Sequence, residues 1–331
     1  MSSNQQPTTN NQQPTTNTSA TLRLRSGQAL SAGNQQQITN NQQPTTIQPG
    51  DLVRVVAPSG AIKEREIFDR GVAIWRERGY QVELEPNVEL RCGYLAGKDR
   101  ERREGLTHAW NDPECKAILC ARGGYGATRL LEDWQWQTQD SPKWLVGFSD
   151  VTALLWSLAK EGIPSVHAPV LTTLAKEPHW SIERLFHFLE GGPLPALEGK
   201  GWGGGQATGM LLAGNLTVAT SMLGTSWQPD LNGVILALED VAEAPYKVDR
   251  MLTQWRMMGA FREVRGIALG RFSQCDGSPG SWTVEDVFRD RLSDLNIPII
   301  SDLPFGHDGV NAALLVGVNI TLDGDKGMLS W

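Results

Sequence analysis

Periodic apolar patterning begins near Gly50, and from there strand-like and helix-like stretches take turns along the chain. Residues 52–57 form a short, β-branched apolar run closed by Pro58-Ser59-Gly60, which reads as a strand and its turn. Phe68, Val72 and Trp75 then recur at i, i+4 and i+7, predicting an amphipathic helix that ends at Gly79. Residues 81–84 read as a second strand, and the charged stretch 99–110 as a helix broken by Asn111-Asp112-Pro113. Residues 117–121 form a third strand running into Arg122-Gly123-Gly124-Tyr125-Gly126. A further helical pattern leads to Trp144-Leu145-Val146, the end of a buried strand. Val151, Leu154, Leu155 and Leu158 then mark one helix face, stopped by Gly162 and Pro164.

Strands alternating with helices predict a parallel sheet covered on both faces. The expected fold class is α/β: an N-terminal Rossmann- or flavodoxin-like parallel-sheet domain, residues 47–168, plus a smaller C-terminal α/β domain, residues 206–331. Residues 169–205, with Gly201-Trp202-Gly203-Gly204-Gly205, read as an interdomain linker. The second half carries short strands at 234–238, 266–269 and 298–300, and a terminal hairpin turning at Asp323-Gly324. In parallel sheets ligands bind beyond the carboxyl ends of the strands. Gly123-Gly124 and the residues after Val146 both fall at such ends.

Residues 1–46 stand apart. Asn-Gln-Gln-Pro-Thr-Thr starts at Asn4, Asn11 and Asn41, with mostly small polar residues between. So few aliphatic side chains cannot offset the entropy of ordering, which predicts a disordered low-complexity extension.

Composition narrows the function. The 331 residues are 40% hydrophobic and carry a formal net charge of −7 without a basic cluster, which argues against a nucleic-acid partner. No apolar stretch approaches the roughly 20 residues of a membrane span, and the first residues lack the pattern of a secretory signal. Cys92, Cys115, Cys120 and Cys275 show neither zinc spacing nor a demand for disulfides. These features predict a soluble protein in a reducing, cytoplasmic setting.

Ser149 has the setting of a nucleophile. It lies between a buried strand and a helix start, in Gly147-Phe148-Ser149-Asp150, where backbone N–H groups and the helix dipole could stabilise an oxyanion. The second glycine of Gly-x-Ser-x-Gly is missing, and taken locally the commoner role for Ser149 or Asp150 is a helix N-cap. A serine nucleophile needs a base and usually an acid to orient it. Of five histidines, His307 stands in a loop directly after an apolar strand. His167 follows the Ser149 helix and is expected to start the next strand. Glu239 closes a buried strand, where a carboxylate needs a partner: an ion pair with Arg250 or Lys247, or a histidine. Ser149, Glu239 and His307 thus occur in that order, each at an expected strand end.

Five blocks carry a family resemblance: Ala121-Arg122-Gly123-Gly124-Tyr125-Gly126, Leu145-Val146-Gly147-Phe148-Ser149-Asp150, Ala213-Gly214-Asn215-Leu216, Leu238-Glu239-Asp240-Val241 and Leu303-Pro304-Phe305-Gly306-His307. In this order they resemble the LD-carboxypeptidase family, serine peptidases of peptidoglycan recycling that also include the microcin C self-immunity peptidases. The resemblance runs from about Gly50 to the C-terminus, and the extension has no counterpart in it. It implies Ser149 as nucleophile, His307 as general base, Glu239 as its orienting acid, and the backbone N–H groups of Gly124 and Asp150 as oxyanion donors. It further implies a murein tetrapeptide substrate losing its terminal D-alanine, no cofactor or metal, and allows a homodimer. The Arg-Gly-Gly-Tyr-Gly form is similar to the murein branch. Two other readings stay open: a microcin C-type peptidase cleaving aminoacyl-nucleotide conjugates, and a non-catalytic nucleotide- or peptide-binding protein. The second draws on a partial Gly-x-Gly-x-x-Gly match at Gly124-Tyr125-Gly126, where Arg129 replaces the last glycine.

Overall fold

The structure, a computed structural model, describes residues 44–139 and 142–331. Most of the low-complexity extension expected over residues 1–46 lies outside the described residues. Its last three residues belong to the body: Pro44 is buried, and the Thr45 carbonyl accepts a hydrogen bond from Trp144 Nε1 at 2.9 Å.

The first half builds β1 (Leu52–Val56), α1 (Arg65–Glu77), β2 (Gln81–Leu84), α2 (Asp99–Asn111), β3 (Cys115–Cys120), α3 (Ala127–Leu130), β4 (Trp144–Gly147), α4 (Thr152–Lys160) and β5 (Ser165–His167). These five strands are parallel in the order β2-β1-β3-β4-β5. That is the doubly wound, flavodoxin-like order, whose switch point lies between β1 and β3. The anticipated stripe is present on α1, where Phe68, Val72 and Trp75 are buried. His167 ends β5 rather than starting it, because the strand is only three residues long.

The remainder contains α5 (Leu171–Leu174), α6 (His179–Leu189), β6 (Leu197–Glu198), β7 (Lys200–Gly201), β8 (Gln206–Asn215), α7 (Leu216–Met222), β9 (Val234–Val241), α8 (Pro245–Met257) and β10 (Gly266–Ser273). It closes with α9 (Val284–Leu292), β11 (Ile299–Ser301), β12 (Leu314–Val316), β13 (Asn319–Asp323) and β14 (Met328–Ser330). A second sheet of eight strands runs β6-β14-β13-β8-β9-β10-β11-β7, with β8 to β11 parallel at its centre. The hairpin β13–β14 turns where Asp323-Gly324 predicted it. Among the described residues no helix is long and apolar enough to cross a membrane.

Two expected boundaries are corrected. Residues 169–205 are not a linker: α5 and α6 bury Leu171, Leu174, Leu185, Phe186 and Leu189 in the core of the first sheet. The glycine-rich run is held by its backbone, with β7 on the edge of β11 and Trp202 N–H bonded to the Ile299 carbonyl. Nor is 206–331 self-contained, because β12 returns to the first sheet and pairs antiparallel with β5, Leu314 opposite His167.

One helix joins the two sheets. α4 is buried on nearly every face, and its Trp156 Nε1 donates to the Ala213 carbonyl of β8 at 3.0 Å. Thr152 Oγ1 accepts from the backbone N–H of Asn215 at 2.9 Å, and Asn215 is the β8 partner of Glu239 on β9. The Ser149 turn and the Glu239 strand are therefore fixed to each other through two residues of α4 and one strand pairing.

Candidate active site

Ser149 sits on the turn between β4 and α4 with φ +63°, a left-handed conformation that costs an ordinary L-residue about 1–2 kcal/mol. Such strain points to a side chain held where function needs it. Neither candidate cap operates here: no side chain caps this helix start. The Asp150 carboxylate instead crosses to the next loop, where Oδ2 accepts from Ala127 N–H at 2.8 Å. Asp150 is buried, and burial raises its pKa against hydrogen bonds from Ser59 and the Gly126 and Ala127 amides. Its side chain thus ties the nucleophile turn to the glycine loop after β3.

That loop is pinned from the other side by Arg102, which is fully buried. Its guanidinium donates to the Gly126 carbonyl at 2.8 Å, to the Pro58 carbonyl and to Asp99, joining the loops after β1 and β3. Gly123 then lies directly against the nucleophile. A Cβ at that position would come 2.9 Å from both Cβ and Oγ of Ser149, and 3.7 Å from the backbone nitrogen of Asp150. Gly123→Ala should therefore push the hydroxyl off its line of attack and lower kcat by about 100-fold, the cost of a misplacement near 1 Å. The turnover number measured beside an unchanged circular-dichroism spectrum tests this; wild-type kcat would show that the loop yields instead.

The second sheet supplies the other two groups. Glu239 lies within β9, fully buried, and its Oε2 is 2.6 Å from His307 Nδ1. An ionised carboxylate only accepts, so Nδ1 carries the proton and Nε2 is left with its lone pair free. Burial lowers the His307 pKa, but the Glu239 hydrogen bond and charge, with Asp240 and Asp308, outweigh it and leave the imidazole above its ordinary value. The alternative partners of Glu239 are engaged elsewhere: Lys247 pairs with Glu243 at 3.0 Å, and Arg250 lies over the Tyr246 ring. Asp240 turns away to accept from Asn215 Nδ2 and from Thr217, closing the far side of the pair.

The halves meet through aromatic rings. Phe148, the residue before Ser149, has its ring 4.7 Å from the His307 imidazole. Among the described residues Ser149 makes no hydrogen bond to His307; such contacts commonly tighten only when substrate binds. Behind them His167, fully buried, stands between Phe148 at 5.8 Å and Phe305 at 6.0 Å. Burial drives its pKa down to about 3, so it is a neutral wedge and no proton carrier. Asn311 anchors the His307 loop: Oδ1 accepts from Gly306 N–H at 3.2 Å, and its backbone N–H donates to the half-buried Glu177 at 2.8 Å. Asn311 and Glu177 escape sequence reasoning because their partners are over a hundred residues away along the chain or reside in an irregular loop. His108, His179 and His187 lie elsewhere, His108 on Glu85 at 2.9 Å. Among the described residues no three His, Cys, Asp or Glu side chains converge on a point where a metal could sit.

The arrangement presents a strained serine hydroxyl, an acid-backed imidazole, and a glycine loop with free backbone N–H groups, which are the parts of an acyl-transfer site. Comparison with known proteins supplies the family. Residues 53–168 match the family model for the LD-carboxypeptidase N-terminal domain, and residues 208–322 that for its C-terminal domain. A Synechocystis sp. protein named as a putative carboxypeptidase is 59% identical over 287 residues, covering 86% of this chain and 95% of its own. The murein tetrapeptide carboxypeptidase of Pseudomonas aeruginosa is 32% identical over 295 residues, covering 84% and 94%. The crystal structure of muramoyltetrapeptide carboxypeptidase from Oxalobacter formigenes superposes with TM-score 0.75 at 29% identity, over 83% of this chain and 97% of that one. A microcin self-immunity protein, MccF, shares the fold with TM-score 0.77 at 22% identity, over 87% and 97%. With both domains matched over more than half its length, and the site assembled from blocks of each, this chain belongs to the LD-carboxypeptidase family.

Proposed function

We propose that this protein is a serine carboxypeptidase that removes the terminal D-alanine of murein tetrapeptides by cutting the L–D peptide bond. The observation that carries the reading is the strained Ser149 beside Gly123, served from the opposite sheet by the His307–Glu239 pair. The relatives named for murein tetrapeptides supply the substrate class. In the reaction Ser149 Oγ attacks the scissile carbonyl while His307 Nε2 takes its proton. The carbonyl oxygen becomes an oxyanion held by the N–H groups of Gly124 and Asp150, each worth about 3 kcal/mol on the pattern of acyl-transfer enzymes. His307 returns the proton to the amine of the departing D-alanine, and a water activated by the same imidazole frees the acyl group. The cytoplasmic location and homodimeric assembly expected of the family belong to the same proposal.

Mass spectrometry of the products from a murein tetrapeptide and from an aminoacyl-nucleotide conjugate tests the substrate. Release of D-alanine from the first is expected. Cleavage of the conjugate alone would transfer the chain to the self-immunity branch.

Stereochemistry offers a sharper test. Inverting the last residue to L-alanine puts its methyl where hydrogen or carboxylate belongs and turns the carbonyl from Ser149. A misalignment near 1 Å costs about 100-fold, so kcat/KM for the L-terminal tetrapeptide should be lower by at least that factor. Equal values for the two diastereomers would leave a serine peptidase without LD specificity.

A further inference from the structure

The geometry points to Arg122 as the receptor for the terminal carboxylate of the substrate, an inference that rests on the proposed carboxypeptidase reading and deepens it. Arg122 opens the glycine loop after β3, and its guanidinium turns back across the end of β1 to donate from Nη1 to the Ala61 carbonyl at 3.0 Å. The space it fills exists because two residues lack side chains. A Cβ on Gly60 would come 2.3 Å from Arg122 Nη1, and one on Gly124 would come 3.3 Å from the same atom. The loops around it are closed by Gly60 N–H bonding to the Gly123 carbonyl at 3.1 Å.

This cation is half-buried and has no carboxylate partner among the described residues. Arg54, Arg78 and Arg102 each hold at least one acid. Arg184, buried with none among the described residues, is covered by the Ala313 and Pro195 carbonyls and the Trp331 ring, whereas Arg122 has a single carbonyl. The charged neighbours of Arg122 are Arg91, whose guanidinium donates to the adjacent Ile62 carbonyl at 3.0 Å, and the exposed Glu64, which forms no ion pair with it among the described residues. Two guanidinium groups bonded to the Ala61 and Ile62 carbonyls, with Glu64 near but in no ion pair with Arg122, form a site that an anion completes. A half-buried charge without a counterion is unfavourable, and a carboxylate matches the planar fork of arginine through two parallel hydrogen bonds.

Position gives the anion its identity. In a terminal residue the carboxylate carbon is three bonds from the scissile carbonyl carbon, a reach of about 4 Å at most from bonds of roughly 1.3–1.5 Å. A receptor for it must therefore flank the oxyanion donors. Arg122 does so: its Nη1 lies against Gly124, and the intervening Gly123 abuts Ser149 Oγ. A peptide continuing past the cut would place an uncharged amide there, leaving the guanidinium desolvated and unpaired. The same contact that binds the product-side carboxylate thus excludes internal bonds, which makes the enzyme a carboxypeptidase.

The test compares kcat/KM for a murein tetrapeptide ending in D-alanine with that for its C-terminal carboxamide, using wild type, Arg122→Gln and Arg122→Lys. Wild type should prefer the free acid by about 100-fold, the size of a lost charged hydrogen-bond contact. Arg122→Gln should lose that preference, its rate on the acid falling about as far while its rate on the amide stays within about threefold. Hydrolysis of p-nitrophenyl acetate, which has no terminal carboxylate, should fall far less than D-alanine release and reports an intact Ser149. Arg122→Lys keeps the charge without the fork, so the preference should shrink by about tenfold. An undiminished acid preference in either variant would overturn the assignment, and the lysine protein decides if the glutamine protein fails to fold. Wild-type enzyme that hydrolyses the ester but releases no D-alanine would instead overturn the carboxypeptidase reading itself.

Discussion

Ser149→Ala should reduce D-alanine release by about a millionfold, the loss seen when one member of a serine-centred unit is removed. In the proposed mechanism the hydroxyl is the attacking atom, and the neighbouring Asp150 carboxylate is committed to Ala127. His307→Ala should be nearly as severe, and combining the two should add little, since neither group acts without the other. Stability should move differently. Alanine keeps the left-handed strain at φ +63°, so its melting temperature should match wild type, whereas Ser149→Gly relieves the strain. The glycine protein should melt above the alanine protein by about 2 °C, the shift that about 1 kcal/mol produces in a chain this long. Turnover measured by released D-alanine, beside thermal melts of both variants, checks both halves of this prediction. Retention of more than about a tenth of wild-type rate by Ser149→Ala would remove the serine mechanism, whose losses are far larger.

The sequence discloses those parts of the fold whose signals are local. β1, β2 and α1 follow from β-branched runs and from Phe68, Val72 and Trp75 at helical spacing. β8 carries no such signal, because Gly209 and Gly214 interrupt it. Both are needed by packing that only the fold reveals: a Cβ would meet the Gly233 carbonyl at 2.2 Å in one case and Thr152 at 2.2 Å in the other. β12 is three residues long and is defined by pairing with β5, about 150 residues earlier, which no window of sequence contains. Reading 169–205 as a linker fails for a related reason. α5 has four residues, too few for a period, and its apolar side chains acquire meaning only against α1 and the first sheet.

For the site the division is similar. Ser149, Glu239 and His307 are legible because each is a polar residue placed where an apolar strand ends or is buried. The groups that hold them are not, since their roles come from contacts between distant segments. Thr152 fixes Asn215, Asn311 fixes Gly306, and His167 fills the space between Phe148 and Phe305. Asp150 shows both sides. Its backbone role is what the family resemblance implies, whereas its carboxylate, bonded to Ala127, braces the glycine loop.

Glu239→Gln should lower kcat by about 10,000-fold while leaving the protein folded, as when the orienting acid of a serine triad becomes its amide. The isosteric side chain fits the same fully buried place. With Oε toward His307 it accepts the Nδ1 proton but carries no charge to stabilise the imidazolium that forms during attack. With Nε2 toward His307 it donates to Nδ1, moving the ring proton to the nitrogen that should be the base. Either orientation fails, and the pH profile separates this from simple disorder of the site. In wild type burial depresses the His307 pKa, and the carboxylate more than reverses it, so the net shift is upward. The acid limb of kcat/KM should accordingly lie above the ordinary histidine value of about 6.5, with activity lost as pH falls through it and His307 becomes protonated. Removing the Glu239 charge leaves burial opposed only by the weaker fields of Asp240 and Asp308. The residual activity of Glu239→Gln should therefore persist to lower pH than wild type, although its maximum is far smaller. An acid limb at the same pH in both proteins would mean that the titrating base is not the imidazole bonded to Glu239.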